Sequence, residues 1–129
     1  MLLTSYKGLR PGNWLFDTVG GHYCVVRLNS QKLVVESLAQ GNYEPVLFKL
    51  KGIPIKRDNL SLAPFHPRDS IYERTENGIH LVLAPLPNGF YKWWVNEAFI
   101  ADIDDFHVLQ NAFEDATGKL LELNLFGSR

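Results

Sequence analysis

Histidines, a single cysteine and a run of late aspartates are the side chains with the most chemistry to offer. His22 and Cys24 stand two apart, which puts both on one face of a strand, where an imidazole and a thiolate could share a metal. No second cysteine exists, and no pair among His22, His66, His80 and His107 has the i, i+4 spacing of a helical metal site. We therefore expect no metal and no cofactor, with Cys24 acting as a small buried hydrophobe. Asp102, Asp104, Asp105 and Asp115 could serve as paired carboxylates for hydrolysis or magnesium binding. Three of them fall at the start of a helix, where aspartate already has a structural reason to be, and no calcium-loop spacing is present. His107, Asn111 and Glu114 share a helix face, which reads as a recognition stripe, an acid–base pair or the solvated side of an amphipathic helix. The Gln110-Asn111 amides could instead cap a neighbouring loop or strand. No serine-nucleophile signature is found, and Gly8, Gly12, Gly20 and Gly21 read as turn glycines, not a phosphate cradle. No residue is assigned a catalytic role.

Aromatic side chains offer binding chemistry. In the run from Phe90 to Val95, alternation sets Phe90, Lys92 and Trp94 on one strand face and Tyr91, Trp93 and Val95 on the other. Such a face could stack single-stranded nucleic acid or anchor a protein partner. Core packing on both sides of the strand would account for it equally well. Lys49, Lys51, Lys56 and Arg57 could add a local basic edge. The binding candidates are thus Phe90, Lys92, Trp94, His107 and Asn111.

The elements that must position these groups follow from pattern. Trp14–Phe16, His22–Leu28, Leu33–Leu38 and Pro45–Leu50 read as short strands, separated by turns at residues 18–21, 29–32 and at Gly41-Asn42. Pro54 confines Ile53-Pro54-Ile55 to an edge or a barrel closure. Strands about ten residues apart suggest a meander curling into an SH3-like barrel over residues 9–57. Residues 58–69 read as an irregular connection, with Pro64 and Pro67 bracketing Phe65-His66. A hairpin follows, Ser70–Arg74 and Ile79–Ala84, around Asn77-Gly78, a dipeptide that supplies the two positive-φ residues of a type I′ turn. Phe90–Val95 is the third strand of this half.

The most regular segment is the last. Asp104 or Asp105 can cap a helix start. Phe106, Leu109, Phe113 and Ala116 then recur with helical period over about residues 105–117, and Gly118 stops the helix. Leu121, Leu123 and Leu125 alternate with polar residues as a closing half-buried strand.

Two anchors carry a family likeness. L-R-P-G-N-W-L, Leu9–Leu15, resembles the L-R-x-G-N-W start of a group of small uncharacterised bacterial and phage proteins. H-V-L-Q-N-A-F-E-D-A-T-G-K-L-L-E-L, His107–Leu123, is similar to the V-H-x-L-Q-N-x5-T-G-x-x-L end of the same group. Those proteins often carry a leucine- and glutamate-rich helical segment between the anchors, whereas here Asp58–Asp69 is broken by two prolines. The resemblance implies a phage or mobile-element origin and assigns no activity.

Composition sets the outer bounds. A chain of 129 residues with 46% hydrophobic side chains fits one α+β domain that can bury a sufficient core. A net charge of −1 removes the long-range field that general nucleic-acid binders use. One cysteine forms no internal disulfide, and neither a secretory signal nor an 18-residue apolar run is present, so a soluble cytoplasmic protein is expected, with no membrane partner. The functional expectation is a non-enzymatic module that binds another protein or itself. Single-stranded nucleic-acid binding, and a small ligand-binding protein or enzyme, are the alternatives.

Overall fold

The computed structural model describes residues 8–17, 22–28, 33–37, 41–43, 50–56, 60 and 63–123, with the backbone alone described at 17, 22, 27, 28, 33, 36, 37 and 41–43. The chain is α+β. It divides into two compact units, residues 1–53 with 105–107, and residues 54–104 with 108–129.

The first unit carries an antiparallel sheet of β1 (Trp14–Asp17), β2 (His22–Leu28), β3 (Leu33–Ser37), β4 (Gly41–Tyr43) and β5 (Leu50–Gly52). Its strand order is β4-β3-β2-β1-β5, so β1 is flanked by β2 and β5 and the sheet ends at β4 and β5. Among the described residues it is open, not closed into a barrel. Leu9, Leu15, Tyr23, Val25, Val35 and Leu50 pack as its core. Each fully buried leucine or valine among them contributes roughly 1.5–3 kcal/mol.

The entry to β1 is built by a turn. Pro11 and Gly12 occupy the middle of Arg10–Asn13; Gly12 has φ +93°, and the Asn13 N–H donates to the Arg10 carbonyl at 3.1 Å. Proline followed by a positive-φ glycine is the chemistry of a type II turn. Asn13, fully buried, closes the same turn from its side chain, its Oδ1 accepting from the Arg10 N–H at 2.8 Å. Gly12 N–H and Asn13 O then bond to Val25 of β2 at 2.7 and 2.8 Å. The L-R-P-G-N-W-L segment is therefore a fold determinant.

Two expectations in this half change. Gly41 and Asn42 are not a turn but lie in β4, with Ser37 opposite Gly41. The turns expected at 18–21 and 29–32 lie outside the described residues, as does most of the run Pro45–Leu50. Ile53 and Ile55 are buried and Pro54 is exposed; the Ile55 N–H donates to the Asp104 carbonyl and the Ile53 carbonyl accepts from the Phe106 N–H, so these bonds need no donor from Pro54.

The second unit holds a five-stranded antiparallel meander in the order β10-β9-β8-β7-β6: β6 (His66–Arg68), β7 (Ile71–Glu76), β8 (Ile79–Pro85), β9 (Tyr91–Val95) and β10 (Ala98–Ile103). The β7–β8 hairpin turns on Asn77 and Gly78, both at positive φ, as expected of a type I′ turn. Two strands depart from expectation. The irregular connection contains β6, an edge strand that tolerates Pro67 because its N–H position need not feed a ladder. β10 was not foreseen at all. Its hairpin turns on Asn96 and Glu97, at φ +48° and +71°, with Asn96 Oδ1 accepting from the His80 N–H at 2.9 Å and the Asn96 N–H donating to the His80 carbonyl at 2.8 Å. Those bonds to β8 hold a turn that lacks glycine.

The helix α1 (Phe106–Thr117) forms where its period places it. Phe106, Leu109 and Phe113 are buried, and the Arg74 guanidinium lies 4.9 Å over the Phe113 ring, which sets the helix on the Arg74 face of the second sheet. Gly118, at φ +75°, donates its N–H to the Glu114 carbonyl at 2.8 Å and ends the helix in a left-handed cap. Thr117 Oγ1 donates to the Phe113 carbonyl at 2.8 Å. Gln110, fully buried, donates from Nε2 to the Leu121 carbonyl at 2.8 Å, the capping role its amide type suggested. Leu121 and Leu123 are buried and Glu122 exposed, so the alternation is present. The expected closing strand is not: residues 121–123 form no ladder, and 124–125 lie outside the described residues. Replacing Gln110 by alanine strands the Leu121 carbonyl and should cost about 1–3 kcal/mol in chemical denaturation. Gly118→Ala should cost about 1 kcal/mol, because alanine is strained at positive φ.

Candidate functional site

The register of the second sheet decides which side chains meet. His66, Glu73, Val82, Trp94 and Phe99 are successive partners across the five strands, so they form one row. The alternate positions Leu81, Leu83, Tyr91 and Trp93 are buried, and Phe65 packs edge-on against Trp93 with ring centroids 6.2 Å apart. One face of the sheet is therefore core. The other presents the row just named, with Lys92 and Asp102 opposite one another in the next position.

The aromatic residues on this outer face form a small cluster. Trp94 and Phe99 meet edge to face at 5.6 Å, and the Lys92 ammonium stands 5.8 Å from the Phe99 centroid. Phe99 is 50% exposed and its neighbour Ile100 55%. A register shift between Phe99 and Ala101 leaves Ile100 as the extra, unpaired residue of a bulge directly after Phe99. Sequence reasoning found Lys92 and Trp94 but missed Phe99 and Ile100. The signal was the apolar A-F-I-A segment after Asn96-Glu97, hidden by a turn with no glycine. Phe90 lies one residue before β9, its N–H donating to Asn88 Oδ1 at 3.0 Å; it is half-buried.

Glu73 on this face, and Glu76 on the helix-covered face, are each engaged by basic groups. Glu73 accepts from Arg68 Nε at 2.9 Å through one oxygen and meets His80 Nε2 at 2.9 Å through the other. Glu76 takes Arg74 Nη2 at 3.0 Å and Lys119 Nζ at 3.4 Å on the same oxygen. Burial pushes the Glu76 carboxyl up, but the Lys119 charge, the hydrogen bonds from Arg74 and Lys119 and the Arg74 charge outweigh it and hold the group below its ordinary value of 4.5.

The other candidates are not brought together. His107 is buried, 9% exposed, so it does not belong to a solvated helix face, while Asn111 and Glu114 are half-buried. The carboxylate nearest in kind is Asp105. A Cβ built on Gly52 would stand 2.6 Å from Asp105 Cγ and 2.9 Å from His107 Cε1, so both side chains converge over a glycine that leaves them room. Asp102, Asp104 and Asp115 are exposed and lie on different elements. The Cys24 thiol is half-buried and 3.8 Å from the Val25 carbonyl; the side chain of His22 lies outside the described residues. Lys51 is spent on the Phe16 ring at 4.5 Å, and Lys49 and Arg57 also lie outside the described residues. Among the described residues no group of three or more His, Cys, Asp or Glu could hold a metal ion. Nor is any helix among them long and apolar enough to cross a membrane.

Two outcomes follow. Gly52→Ala should destabilise the protein by about 1–3 kcal/mol in urea titration, since the added methyl displaces both Asp105 and His107. Glu76, with its folded pKa depressed, lends stability that is full above the unfolded value and disappears as pH falls through the folded one. Between pH 6 and pH 3 the urea midpoint should therefore fall less in Glu76→Gln than in the unaltered protein.

No family model, curated protein or solved structure matches the chain, so its chemistry has to be read from this surface alone.

Proposed function

We propose that the protein is a small non-enzymatic interaction module that binds another protein, or a second copy of itself, through the outer face of the second sheet. Exposed Phe99 and Ile100 beside Trp94 are the observation that carries this reading. Tryptophan and large apolar side chains anchor protein interfaces, and the polar pair Lys92 and Asp102 flanks them here. The first sheet supports an SH3-like reading of its unit: the order β4-β3-β2-β1-β5 is that of a five-stranded meander whose last strand returns beside the first. The likeness of both chain anchors to bacterial and phage proteins supports a cytoplasmic, phage-related setting.

Single-stranded nucleic-acid binding is the second reading, favoured by Lys92 over the ring of Phe99 next to Trp94. The two readings separate in one experiment. The chain and its Phe99→Ser/Ile100→Ser variant are compared by affinity capture, sedimentation velocity and titration with labelled oligonucleotides at low salt. The interaction reading expects a captured protein or a self-associated species that the variant loses, with no oligonucleotide shift. Salt-sensitive oligonucleotide binding, or identical behaviour of the chain and the variant in every assay, defeats it.

A further inference from the structure

We draw no further inference here: the strongest candidate, the exposed apolar pair Phe99 and Ile100 at the bulge of the edge strand β10, carries none because nothing in the structure shows what covers it.

Discussion

A buried amide must find a hydrogen bond, and each unit of this protein is organised around one that does. Asn13 and Gln110 are both fully buried, and each ties a backbone segment that would otherwise drift. Asn13 closes the turn that feeds β1 into its sheet; Gln110 holds the chain after α1 through the Leu121 carbonyl. Leaving such a group unpaired costs about 1–3 kcal/mol, a large share of the 5–15 kcal/mol that separates folded from unfolded states. The fold therefore tolerates few alternatives at these two positions. Gly12 and Gly118 add the positive-φ positions, and Thr117 adds its bond to Phe113. These residues serve the fold and assign no activity.

How legible each element was depended on how local its cause is. The helix announced itself because its stripe, its stop glycine and its start all lie within fifteen residues of one another. The Asn77-Gly78 hairpin was equally plain, since the dipeptide alone supplies the turn. β10 was invisible for the opposite reason. Its turn at Asn96-Glu97 is held by bonds from Asn96 to His80, sixteen residues away, and no local pattern reports them. β6 was hidden by Pro67, which argues against a strand until the strand is known to be an edge. Leu121 and Leu123 misled in the other direction: their alternation is real, but it arises from packing of an extended segment tethered by Gln110, without a ladder. The candidate site was half visible on the same principle. Trp94 and Lys92 sit on a strand with clear alternation, whereas Phe99 and Ile100 sit at a bulge that no local pattern reports.

The placement of charge narrows what the protein can do. Glu73 is engaged by Arg68 and His80, and Glu76 by Arg74 and Lys119, so these carboxylates hold adjacent strands and the turn after α1 together. His107, the residue best suited to proton transfer, is buried over Gly52 with Asp105. A general base must reach the proton it removes, and a histidine enclosed in this way reaches only the protein itself. Among the described residues the large apolar side chains left exposed are few, Phe99, Ile100, Val108 and Leu120, and two of them adjoin on β10.

That distribution is what the proposed recognition role draws on. A sheet covered on one face by a helix has spent its hydrophobic driving force on that face. Side chains of the opposite face are retained as large and apolar only at a cost in solubility, unless something covers them. Here the apolar residues concentrate at one edge strand instead of spreading over the face, and an edge offers backbone donors and acceptors together with side chains. Contact there gains directionality from hydrogen bonds and area from Phe99 and Ile100 at once, which a flat patch cannot supply.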